Sequence, residues 1–354
     1  MGEGLSANLD FLRAIAVLLV LAQHLLRRAH VYQVGWVPTS CLGKFGVLLF
    51  FVHTCLVLMY SMQRNGLTGW SLLRNFHIRR IFRIYPLSVV AVLTAVALGL
   101  DSDINGIAGL SQASFPGKLT LAGNLLLIQN LVLVKSIVNV LWSLPFELQM
   151  YLLLPFFYFW LTRRRNVWPL LALWFVACAL AAAQPHIHAL QRFSILRFIP
   201  NFLPGVIAFT LPRASRFKPY LWPLFIGGIV FAYTSVPTDT MGWSLCLALG
   251  FAIPLFQEIT SRSVRFIAGR IAKYSYGIYL SHQFCIWVAF GVLDSWNLWL
   301  QVLLFIVMAC VIPIALYHFI ELPMIRLGTR LAKLSEGRRT AVIVLPDNEA
   351  RQTA

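Results

Sequence analysis

The chain is 354 residues long, with 59% apolar and only 12% charged residues, and its 29 Lys and Arg against 12 Asp and Glu give a net charge of +17. A soluble domain carries about 25% charged residues, and the mean hydropathy here is +0.76. These values exclude a soluble globular enzyme, a disordered chain and a secreted disulfide scaffold. In a soluble protein the basic excess would point to nucleic acid. In a membrane protein it marks cytoplasmic loops rich in Lys and Arg, so membrane lipids and not nucleic acid are the expected surroundings.

Apolar runs long enough to cross a bilayer recur at 11–26, 44–62, 84–100, 141–161, 167–183, 195–211, 219–236, 240–256, 275–292 and 297–319. The first lacks a small-residue cleavage site and is read as a retained helix. A further run, 119–134, is interrupted by Asn124, Gln129 and Asn130. Ten spans with the N-terminus inside place most basic residues on the cytoplasmic side, among them Arg80, Arg83, the Arg163, Arg164, Arg165 run and the C-terminal tail. An eleventh span would move every later basic loop outside. The expectation is therefore an all-α polytopic membrane helix bundle of about ten transmembrane helices with both termini cytoplasmic, and 119–134 external or re-entrant. Residues 1–326 form one membrane domain, and 327–354 form a basic cytoplasmic tail that is partly disordered. Residues 101–118, polar with Gly, Ser and Pro, read as a flexible external loop. The six cysteines form no C-x-x-C pair and mostly sit in apolar runs, so neither a metal site nor a disulfide framework is expected.

Polar groups inside the spans need a reason, because a charged side chain there costs at least ~2.5–3.5 kcal/mol on insertion scales. Arg13 and His24 are eleven residues apart on the first helix. That is close to three full turns and ~16 Å of rise, so one face carries a cation near the inner surface and an imidazole in the outer third. Arg13 either snorkels to headgroups or serves a site. His24, enclosed by Leu21, Ala22, Leu25 and Leu26, favours function. Arg80 and Arg83 are i,i+3 neighbours at the cytoplasmic start of the third span. Their guanidinium groups suit lipid headgroups or a polyanionic cytosolic donor. Glu147, two residues after Pro145, falls in the first turn of the fourth span. It is either a helix cap or a carboxylate facing into the bundle at the depth of His24, where it would support a general base. Ser275, Tyr279 and His282 share one face of the ninth span. Glu321 ends the last span, where it could pair with an inner-face arginine. His53 has no clear assignment and reads as a hydrogen-bonded structural histidine.

Together these segments resemble the acyltransferase 3 family of polytopic membrane O-acyltransferases. The resemblance rests on Leu9-Asp10-Phe11-Leu12-Arg13 with His24, on Arg80-Ile81-Phe82-Arg83-Ile84-Tyr85-Pro86, on Trp142-Ser143-Leu144 with Glu147, on Ser275 to His282, and on Glu321-Leu322-Pro323. Where the family usually has Phe-Phe-x-x-Ser-Gly, this chain has Phe50-Phe51-Val52-His53-Thr54-Cys55. The resemblance implies a donor acyl-CoA, often acetyl-CoA. It implies as acceptor a hydroxyl of a glycan or lipid-linked sugar, such as exopolysaccharide or lipopolysaccharide, at a bacterial inner membrane. No soluble acyl-transfer domain is attached, so transfer is expected to finish within the membrane domain.

The expected mechanism has Arg80 and Arg83 holding the donor phosphates and Arg13 lining the inner path. His24, supported by Glu147, is general base or transient acyl carrier. Trp142, Ser143, Tyr276, Tyr279, His282 and Glu321 line the substrate path, the tyrosines and His282 shaping it or stabilising the oxyanion. The rival reading is a proton-coupled secondary transporter, which ten spans with buried His and Glu would also suit. Binding of acyl-CoA distinguishes the two.

Overall fold

The computed structural model describes residues 6–102, 110–112, 115–163 and 166–340. In chain order the helices are α1 (Ala7–Arg28), α2 (Ser40–Asn65), α3 (Gly69–Ala97), α4 (Lys118–Leu125), α5 (Leu144–Arg163) and α6 (Val167–Ala183). They continue as α7 (His188–Gln191), α8 (Ile199–Thr210), α9 (Trp222–Ser235), α10 (Asp239–Ala252), α11 (Arg262–Trp287), α12 (Leu298–Leu316) and α13 (Leu322–Thr340). Two antiparallel hairpins join them: β1 (Gln33–Val34) with β2 (Val37–Pro38), and β3 (Leu100–Ser102) with β4 (Leu110–Gln112). The second hairpin falls in the expected external loop; residues 103–109 and 113–114 lie outside the described residues, as do Arg164, Arg165 and the tail beyond 340.

A helix stands at every expected span. Among the described residues, six helical stretches are long and apolar enough to cross a membrane: α1, α2, α3, α5 with its lead-in from Asn139, α6, and the stretch Leu298–Leu334. The remaining expected spans are α8, α9 and α10, which are short, and α11, which is long but carries the polar face of the bundle. At the centre lies α2, packed by α1, α5, α8, α9 and α10, while α1 sits between α2 and α11. Leu303, Ile306, Val307 and Val311 of α12 are exposed, forming an apolar outer stripe at the edge of the bundle.

Two elements run further than their apolar segments. From Gly69, α3 adds about four turns before Ile84, where the apolar run begins. From Arg262, α11 likewise adds three and a half turns before Ser275. These extensions are too charged for a hydropathy signal. The first part of the expected tail, 327–340, is helical in α13, which packs against α3 so closely that Gly328 faces Phe82 with no room for a Cβ.

The interrupted run 119–134 is not a spanning helix. Its one helix, α4, is eight residues long, or ~12 Å. The chain then turns repeatedly, with Leu127, Ile137, Val138, Val140 and Leu141 buried. Irregular backbone inside a membrane protein must find its hydrogen bonds in other protein groups. Asn124 Nδ2 donates to the carbonyls of Thr120 and Lys135 (2.8 and 2.9 Å), and its Oδ1 accepts from the Ile137 amide. Gln129 Nε2 donates to Leu141 O at 3.0 Å, and Tyr279 Oη to Val140 O at 2.7 Å. The polar residues that broke the apolar run are the ones that hold this segment.

The second-span departure also has a structural counterpart. Cys55 is fully buried against Gly205 of α8, where an added Cβ would meet Cys55 Cβ and the Val52 carbonyl oxygen. The close approach of α2 and α8 is thus preserved by a glycine on the facing helix.

Candidate functional site

Two levels of contact join α1 to α11. At the inner level Arg13 Nε donates to Ser275 Oγ at 2.6 Å, and Ser275 Oγ donates in turn to Ala272 O at 2.9 Å. At the outer level the His24 and His282 rings lie with centroids 5.1 Å apart, and Gln283 Nε2 is 3.5 Å from His24 Nδ1. Between them Tyr279 stands one turn past Ser275 on the same helix, ~6 Å further out. Its hydroxyl donates to Val140 O and, with that proton spent, accepts from Ser143 Oγ at 2.9 Å.

That bond fixes the depth of α5. Ser143 precedes the helix directly, so α5 starts at the level of Tyr279, midway between the two contacts, and runs inward. Glu147 lies one turn further in and belongs to the Arg13 level. Its carboxylate accepts from Tyr151 Oη at 2.8 Å. This corrects the expected support of His24 by Glu147: the two groups line different cavities and share no contact. The expectation placed the start of α5 at the level of His24; residues 119–143 instead bring the chain to the level of Tyr279 before α5 begins.

The inner cavity, about 90 Å³, is bounded by Arg13, Arg80, Arg83, Glu147, Tyr151 and His53 among others. Tyr276 belongs to the same cavity and donates its hydroxyl to Ile84 O at 2.8 Å. His53, read from sequence as a hydrogen-bonded structural histidine, is buried and also stands on the cavity wall. Arg83 Nη1 is 3.7 Å from Glu321 Oε2, whose side chain is fully buried, so Glu321 steadies an arginine from behind and does not line the cavity. Among the described residues Arg80 has no ion pair. Three guanidinium groups against two carboxylates leave the inner site with a net positive charge, at a depth where water screens poorly.

The outer cavity, about 330 Å³, holds His24 with Gln23, Lys44, Asn139, Trp142 and Arg197. Trp142 is therefore on the outer side, while Ser143 reaches the inner one. His282 is buried behind His24 and lines neither cavity. Val47 and Tyr279 line both, and so form the partition between them. Sequence reasoning missed Tyr151, Gln283 and Arg197. Tyr151 lies four residues after Glu147 on one helix face, a spacing that could have flagged it; the other two carry no local signal.

Arranged this way, the bundle has an arginine-lined chamber on one side and a histidine-bearing chamber on the other, separated by about one side chain. An acyltransferase-domain family model matches residues 6–318, nearly the whole chain. No curated protein and no solved structure matches it.

Proposed function

The chain belongs to the acyltransferase 3 family, and from that premise we propose that it moves an acyl group, acetyl in the first instance, from cytosolic acyl-CoA to a hydroxyl of a surface or lipid-linked glycan at a bacterial inner membrane, with both chain termini on the cytoplasmic side. One observation carries this reading: a cation-lined chamber and a chamber containing His24 share the Tyr279 and Val47 partition.

Acyl-CoA enters the inner chamber. Arg80 and Arg83 bind its phosphates, for which paired guanidinium forks are suited. Arg13, held by Ser275, lines the path beyond them. The thioester end reaches past Tyr279. His24 takes the proton from the acceptor hydroxyl, the oxygen attacks the acyl carbon, and the C–S bond breaks. The departing sulfur receives the proton and CoA returns to the cytosol. Glu147 and Tyr151 act on the donor side, where they shape and orient the inner chamber. Positioning two substrates in this way and supplying the base are each large contributions to rate.

The test compares O-acetyl content of surface polysaccharides in cells with the wild-type gene, a deletion, and His24→Ala at equal protein level. Loss of the same O-acetyl signal in both altered strains is expected. An unchanged signal in both overturns the glycan-acetylating reading.

A further inference from the structure

The cavity that holds His24 has a neighbour. A second cavity, about 350 Å³ and lined by Gln129, Asn130 and Gln184, shares Trp142, Arg197 and Phe198 with it. The two adjoin along those three side chains as a two-part cleft, on the side of the Tyr279 and Val47 partition away from Arg80 and Arg83. Its wall is aromatic: the Trp142 ring lies 5.7 Å from Phe198 and 6.2 Å from Phe146. Amides surround that wall. Gln129 is buried with Nε2 on Leu141 O and its Oε1 unpartnered. Gln23 and Asn139 line the His24 end. An apolar ring face flanked by amides that both donate and accept is a surface for a pyranose, with C–H groups on the indole and hydroxyls on the amides.

The cleft is also charged. Asp239 is held between Lys44 Nζ (3.1 Å to Oδ1) and Arg197 Nε (2.5 Å to Oδ2). Two cations on one carboxylate leave a positive balance. Arg197 is anchored as well by Trp243 Nε1 donating to its carbonyl at 3.1 Å. Its Nε is committed to Asp239, and among the described residues neither terminal Nη group has a partner. A guanidinium fixed through Nε with both terminal nitrogens available presents a fork to a phosphate or carboxylate.

We propose that this cleft is the acceptor subsite and that it takes an anionic pyranoside, a sugar bearing a phosphate or a carboxylate. The ring lies on Trp142, the anion on Arg197, and a ring hydroxyl at His24. The proposal rests on the acyltransferase reading and narrows its acceptor.

Saturation-transfer NMR on the purified full-length protein in micelles tests it, with glucose, glucose 1-phosphate and glucuronate as probes. An anionic probe is expected to bind at least about tenfold more tightly than glucose, the value of one charge-assisted contact of ~1.4 kcal/mol. Arg197→Gln removes that advantage, and Trp142→Ala weakens every probe. Arg197→Lys, which keeps a cation beside Asp239 but lacks the fork, also loses it. The wild-type comparison requires no variant to fold: equal binding of glucose and both anions overturns the proposal. Preference for one anion over the other says whether phosphate or carboxylate is the natural group. Arg197-dependent binding with unchanged O-acetylation in both the deletion and the His24→Ala cells leaves the site standing and removes the glycan-acetylating reading; the reverse result removes the site alone.

Discussion

His24 and His282 face each other across the seam of α1 and α11, their ring planes tilted by 55°. His282 Nδ1 lies 3.0 Å from Ile278 O, which makes that nitrogen the donor and leaves Nε2 buried with its lone pair unpartnered. The pair differs in access: His24 opens onto the outer cavity and His282 does not. In reconstituted vesicles His24→Ala should reduce acyl transfer by about 10²–10⁴, the range of a lost general base. His282→Gln should cost about tenfold at most, acting through the placement of His24. Equal losses in the two variants would mean that His24 does not serve as the base on its own.

Glu147 bonds to Tyr151 in the inner cavity and shares no contact with His24. Glu147→Gln should therefore raise KM for acyl-CoA while leaving the acidic limb of the pH–rate profile at its wild-type position. A shifted limb would mean that the carboxylate acts on His24 after all.

Arg83 and the fully buried Glu321 form the inner site's ion pair, at 3.7 Å. Removing one partner of a buried pair leaves an uncompensated charge and costs about 3–5 kcal/mol. Arg83→Met should lower the unfolding temperature, and Arg83→Met with Glu321→Gln should regain most of the loss, although acyl-CoA binding stays weak. Additive losses in the double variant would mean that the two side chains do not couple.

Gly205 fills the place where α8 meets α2. Gly205→Ala should destabilise by about 1–3 kcal/mol through overpacking, measured by thermal unfolding in micelles. Cys55→Gly in the same chain should relieve only part of it, because the Val52 carbonyl also stands against the new methyl.

What the sequence revealed here divides along physical lines. Helices stand where apolar runs mark them, since lipid imposes a length and a composition that one chain displays openly. The inner cation cluster was also legible: Arg80 and Arg83 are neighbours on one turn, and Arg13 is a charge that a span tolerates only for cause. The level of Glu147 was not legible. It depends on how far 119–143 dips before α5 begins, which is set by the long-range bonds Tyr279–Val140 and Gln129–Leu141. Hydropathy carries no record of such bonds. Arg197 and Lys44 were not legible as a site either, because their convergence on Asp239 joins three separate segments.

The hydroxyl of Tyr279 holds two bonds, to Val140 and Ser143, and each is worth about 0.5–1.5 kcal/mol net. Swinging that ring aside therefore costs about 1–3 kcal/mol, so the passage is closed in most molecules at any moment. For the cell this amounts to a bulkhead with a small hatch. If the chain transfers acyl groups as proposed, only the acyl end of the donor passes that hatch, and the bulk of its carrier stays on the side of Arg80 and Arg83.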